Sequence, residues 1–118
     1  MIFLASLLVA LIVHVFLGWP WSILGGAIAG FVSGRTGWIV GAAAVGLSWA
    51  LLVLYNFVVA PPEMARFLRI TGGLFGNMSG PMVVVVTVLI GVLIGLLGGA
   101  IGGLIGSLTR DVRTRRQP

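Results

Sequence analysis

Cysteine is absent from this 118-residue sequence, and so is lysine. No disulfide, thiol nucleophile or cysteine-held metal is therefore open to it. The acids are Glu63 and Asp111 alone, and His14 is the single histidine. Far apart in sequence, these three make no ligand set for a metal, and no carboxylate pair exists for general acid–base work. Charged residues are 8% of the chain, against about 25% in a soluble domain. With 59% hydrophobic residues and a mean hydropathy of +1.22, the chain has too little polar surface to stay wet. Composition therefore predicts a polytopic membrane protein of one domain, all-α, with no enzymatic activity and no cofactor.

All basic residues are arginine, and the formal net charge is +5. In a soluble protein a pI near 11.9 would suggest nucleic acid. Here the arginines sit in connections and in the tail, where membrane topology accounts for them, so no nucleic-acid partner is expected. The same charges predict a weak attraction to anionic lipid headgroups.

The longest uncharged run is Met82 to Leu108. As a helix it is roughly 40 Å long at about 1.5 Å per residue, enough to cross a bilayer core of about 30 Å. Within it Gly91, Gly95, Gly99, Gly103 and Ser107 recur at every fourth position and share one face. Gly98, Gly102 and Gly106 widen this nearly bare surface. Water cannot push helices together inside lipid, so close backbone approach between small residues must hold them. This helix is expected to be the packing spine.

Earlier in the chain, 2–17 is a short apolar run closed by Gly18-Trp19-Pro20-Trp21, and 21–34 is a second, ending at the Gly34-Arg35 turn. The first run has neither the basic start nor the cleavage site of a signal peptide and is read as a mature helix. Residues 38–60 form a full-length span with a small-residue face at Gly41, Ala42, Gly46 and Ala50, stopped by Pro61-Pro62. Residues 62–71 fit a short interfacial helix, with Met64, Phe67 and Leu68 on one face and Glu63, Arg66 and Arg69 elsewhere. The expected architecture is thus four transmembrane helices in two hairpins over 1–108 (spans 2–17, 21–34, 38–60 and 82–108). A basic, disordered tail over 109–118 completes the chain. A single broken helix over 2–34, or a hairpin entering only part-way, are the alternatives for the first segment. The tail arginines place the C-terminus in the cytoplasm of a bacterial inner membrane, and Arg35 on the same side; Arg66 and Arg69 then fall outside, against the positive-inside preference.

Gly25–Ser33 and Gly98–Gly106 are similar stretches at a constant offset. Glycine supplies most of the identities, and composition is the preferred explanation over a transporter-like repeat.

Polar groups are few enough to weigh one by one. His14, with Tyr55 and Asn56 expected at the same level, forms a possible polar cluster; a neutral hydrogen-bonded histidine is preferred to a proton relay. Arg66 and Arg69 are possible contacts for lipid or a partner, although arginines that simply snorkel from an interfacial helix explain them too. Gly26 and Gly30 join Gly91, Gly95, Gly99, Gly103 and Ser107 as expected packing positions. No serine has a plausible base nearby except His14, and the glycine-rich stretches lack a phosphate-loop signature. Asn77-Met78-Ser79 matches a glycosylation sequon, a triplet that arises easily by chance.

Gly18-Trp19-Pro20, the Gly/Arg loop at 34–37, the aromatic-ended third helix and the final Gly-Gly ladder ending in Thr109-Arg110 resemble a group of short bacterial four-helix membrane proteins. The resemblance implies a membrane fold and no particular activity. Small multidrug transporters carry a carboxylate in the first span, which this chain lacks. Fluoride channels carry an asparagine-containing pore motif that Asn56 and Asn77 do not match. The expected function is a structural or accessory subunit, packing through its glycine ladder with itself or with a larger membrane complex. A small homo-oligomeric channel or transporter is the alternative.

Overall fold

A computed structural model describes residues 1–114. Five α-helices follow one another: α1 (Ile2–Leu17), α2 (Ile23–Ser33), α3 (Gly37–Val59), α4 (Pro61–Leu74) and α5 (Gly80–Thr114). Short 3-10 turns at Trp19–Ser22 and Gly34–Thr36 join the first three. No strand occurs among the described residues.

The breaks have local causes. Gly18 (φ 94°) ends α1, and Gly34 (φ 59°) reverses the chain between α2 and α3; these are left-handed conformations that glycine adopts without a Cβ clash. Ala60 precedes two prolines and leaves the helical region at φ −138°, so α3 stops and α4 starts at Pro61. Two helical stretches are long and apolar enough to cross a membrane: Trp19–Val59, which holds α2 and α3 folded back on each other, and Gly80–Val112. α1 has 16 residues and α2 only 11, both short of a span.

α5 lies in the groove between α2 and α3. Three glycines meet in each of two successive layers, one from each helix. In the first layer a Cβ at Gly30 would strike the Gly99 carbonyl and one at Gly37 would strike Gly30 Cα, while one at Gly99 would stand 2.5 Å from the Gly37 carbonyl oxygen. In the second, a Cβ at Gly26 would stand 2.6 Å from the Gly95 carbonyl oxygen, and one at Gly41 2.5 Å from the same atom. These approaches are backbone on backbone, so no rotamer change could relieve them. The pairing also fixes direction: α3 runs antiparallel to α2 and α5, and α2 runs parallel to α5. The two similar glycine-rich stretches therefore pack side by side, with Gly98 against Ile23 and Ala27, Gly102 against Ala27 and Gly106 against Phe31.

α1 packs on this trio through a second close approach, where a Cβ at Gly25 would stand 2.7 Å from Ala10 Cβ. Ala10, Val45 and Trp49 form the buried apolar cluster, with Ile94 against it. The α1–α2 hairpin is short. Its tip, Trp19, meets Trp49 with ring centroids 6.5 Å apart. Trp49 lies about 18 Å along α3 from Gly37, with about 15 Å still to run to Val59 at about 1.5 Å per residue. The hairpin thus reaches just past the middle of α3.

Two helices run on past their expected ends. α4 continues through Gly72 and Gly73 to Leu74: Gly72 is buried against the Met78 carbonyl, and this tertiary contact outweighs glycine's weak helix propensity. Its inward residues are Met64, Leu68, Thr71 and Gly72, whereas Phe67 is half exposed. α5 extends through 109–114, expected as disordered tail, because Thr109 and Arg110 bond back to carbonyls of the preceding turn. Residues 115–118 of the expected tail lie outside the described residues.

Candidate functional site

Polar side chains gather where the hairpin stops short of the end of α3. A cavity of about 410 Å³ sits there, lined by His14, Trp19, Trp49, Leu52, Val53, Asn56, Thr87 and Ile90. α1 supplies the histidine, the Trp-Pro-Trp turn supplies Trp19, and the C-terminal half of α3 and the N-terminal part of α5 form the walls. The cavity exists because α3 and α5 continue beyond Trp19 while α1 and α2 do not.

His14 is held on two sides. Its Nδ1 shares a 3.0 Å hydrogen bond with Ser22 Oγ, across the turn that joins α1 to α2. Its ring stands edge-on to Trp49, centroids 5.2 Å apart at 88°. Ser22 is fully buried, so its hydroxyl serves His14 and is out of reach of a substrate. Asn56 Nδ2 donates to the Leu52 carbonyl at 2.8 Å, and Thr87 Oγ1 donates to the Val83 carbonyl at 2.8 Å. Both bonds are local to their own helices. Trp49 Nε1 is buried with no hydrogen-bond partner, as is Ser6 Oγ. Trp49 is anchored by its ring instead: Gly91 lies beneath it, and a Cβ there would stand 2.6 Å from Cγ.

Of the expected cluster, His14 and Asn56 line the one cavity, whereas Tyr55 is exposed and does not. Tyr55 precedes Asn56 by one residue, about 100° round the helix, and its side chain falls outside the recess. The groove continues from Asn56 and Val53 toward α4, where Glu63 and Met64 line an adjoining cavity of about 320 Å³. Sequence reasoning missed Ser22, Trp19, Trp49 and Thr87. Ser22 was open to discovery, because a hairpin turning at Gly18 brings it back beside His14. Nothing in the sequence paired Trp49 with Gly91.

The expected packing positions Gly26, Gly30, Gly91, Gly95 and Gly99 are buried, and Gly103 is partly so. Gly91, Gly95, Gly99 and Gly103 lie against α2, α3 or the turn between them, and Gly26 and Gly30 lie against α5. Ser107 instead is exposed, with its hydroxyl bonded to the Leu104 carbonyl at 2.8 Å. Arg66 and Arg69 are exposed on α4; Arg69 edges a shallow recess with Phe57, Leu68 and Asn77. No group of three metal-ligating side chains occurs among the described residues. Compared with known proteins, the chain matches no family model, no curated protein and no solved structure.

Proposed function

We propose that the protein is a non-enzymatic integral membrane protein that acts as a structural or accessory subunit in a bacterial inner membrane. The observation that carries this reading is the pair of three-glycine layers, which bring α2, α3 and α5 into backbone contact. Such contact is the form of helix association that works without water. Around it the outer surface is apolar: Leu4, Leu8, Leu47, Leu54, Leu93 and Leu97 are all 40% exposed or more, which suits acyl chains and not water. In this reading α3 and α5 cross the bilayer, the α1–α2 hairpin enters from the Gly34 side and stops part-way, and α4 lies in the opposite interface. That arrangement answers the four-span expectation with two full spans and one re-entrant pair, and it leaves the N-terminus, Arg35 and the C-terminus together on the cytoplasmic side.

The absence of enzymatic activity is part of the proposal. The buried Ser22 has no access to a substrate, and the two acids lie far from His14 in sequence. Association with a partner or a second copy uses surfaces other than the ladder, since Gly91 to Gly103 are covered within the chain. Native mass spectrometry of protein taken from host membranes in mild detergent tests this. A second copy or a stoichiometric membrane partner is expected; a strict monomer with no partner contradicts the subunit role.

A second reading, a small homo-oligomeric channel or transporter, draws on the His14 cavity and its continuation to Glu63. The glycine layers leave no passage between α2, α3 and α5, so any conduction would need assembled copies. Proteoliposome flux under ion and pH gradients, with His14→Ala, separates the two. Flux abolished by the substitution favours transport, and no flux under any gradient removes it.

A further inference from the structure

No acidic or arginine side chain lines the cavity of about 410 Å³ beside His14. An ion of either sign would enter it without a countercharge. The polar groups that do line it call for acceptors on a ligand. Ser22 is fully buried, and among the described residues its hydroxyl meets His14 Nδ1 alone. The hydroxyl proton therefore goes to Nδ1, and the imidazole hydrogen sits on Nε2. Nε2 makes no hydrogen bond among the described residues, so it is a free donor on α1. Asn56 donates one N–H to the Leu52 carbonyl, and its second N–H is a free donor on α3. Thr87 donates its proton to the Val83 carbonyl and can only accept. Two donors thus come from two different helices. The remaining walls are flat or apolar: the indoles of Trp19 and Trp49, 84° apart, with Leu52 and Ile90. The volume lies within the range of about 300–1,000 Å³ that suits a small-molecule ligand.

We propose that this cavity binds the ring of a neutral membrane quinone. One carbonyl oxygen accepts from His14 Nε2 and the other from Asn56 Nδ2, while the ring packs against an indole. The isoprenoid tail leaves among the acyl chains, on the side of α3 and α5 that the short α1–α2 hairpin leaves uncovered. The ligand class follows from three requirements met together: no charge, two acceptors and a flat ring. A diacylglycerol has the carbonyls without the ring, and an aromatic cation has rings without the acceptors. The site rests on the membrane reading above and is independent of conduction.

The test is quenching of tryptophan fluorescence by decylubiquinone in detergent-purified protein, since a quinone quenches an indole on contact. Wild type is expected to show quenching that saturates at one quinone per chain. His14→Leu is expected to weaken binding about tenfold, the loss of one hydrogen bond in an apolar site, and Asn56→Leu about fivefold. Ser107→Ala, at the far end of α5, is expected to leave it unchanged. The one bond Asn56 makes is local to its own helix, so its variant decides the matter where His14→Leu does not fold. Quenching that rises without saturating, or that is equal in all four proteins, reports partitioning into the micelle and overturns the site. Equal competition by decylbenzene overturns the hydrogen bonds, and displacement by dioleoylglycerol or tetraphenylphosphonium overturns the assignment to a quinone. Extraction of the protein from membranes by alkaline carbonate overturns both the site and the membrane reading, whereas an integral protein without saturable quenching overturns the site alone.

Discussion

Glycine in a helix costs about 1 kcal/mol relative to alanine, a cost offset only where the bare backbone makes a contact that a methyl would block. What an added methyl would meet decides the outcome. At Gly102 it would strike the Ala27 carbonyl, which belongs to a packed helix and cannot yield. At Gly46 it would meet Val92 Cγ2 at 2.5 Å, the end of a side chain that can shift. At Gly73 it would meet nothing within 4 Å. Thermal melts in detergent should therefore rank the alanine variants. Gly102→Ala should lose about 1–3 kcal/mol or more from overpacking, Gly46→Ala less, and Gly73→Ala should be neutral or slightly more stable. A similar contrast separates two fully buried serines. Ser22→Ala removes the partner of His14 Nδ1 and should cost about 1 kcal/mol, while Ser6→Ala removes a hydroxyl without a partner and should be neutral or stabilising. Equal effects of the two serine substitutions in the same melts would contradict the assigned bond.

Helices were the most legible part of the sequence. Uninterrupted apolar runs and the punctuation at Gly18, Gly34 and Pro61 gave α1 and α3 nearly to the residue. The spacing at Gly91, Gly95, Gly99 and Gly103 gave the bare face of α5, because helical periodicity is a local property. It could not say what the face touches. That depends on the register in which Gly26 and Gly30 meet Gly95 and Gly99, a property of three helices together. The site was legible only in part for the same reason: His14 stood out as the lone ionisable group in an apolar run, but Trp49 looked like any apolar side chain. The depth of the first hairpin is likewise a property of several helices together: Trp19 abuts Trp49, well short of Val59. Since the chain has no native cysteine, a spin label at Trp21→Cys can report depth directly. Oxygen and nickel-chelate accessibility should place it near mid-bilayer; a depth matching a label at Val59→Cys would make the hairpin a full pair of spans.

Under the proposed membrane reading, charge and shape suit one orientation. The long dimension is 64 Å, about twice a hydrocarbon core of about 30 Å, so both ends would project from it. The end with Arg35, Arg110 and the tail is the more cationic and is the one the proposal assigns to the cytoplasm. A C-terminal green fluorescent protein fusion should fluoresce, and a C-terminal alkaline phosphatase fusion should be inactive; the reverse pattern would invert the topology. Everything else depends on α2, α3 and α5 of a single chain closing on their own glycines. The direct test is a tryptophan-fluorescence melt of wild type and Gly30→Ala in detergent, repeated over a wide range of dilution. Contact within one chain predicts a lower midpoint for Gly30→Ala, by the same interval at every concentration. An unchanged midpoint, or an interval that vanishes on dilution, would mean that these glycines do not hold the chain together from within.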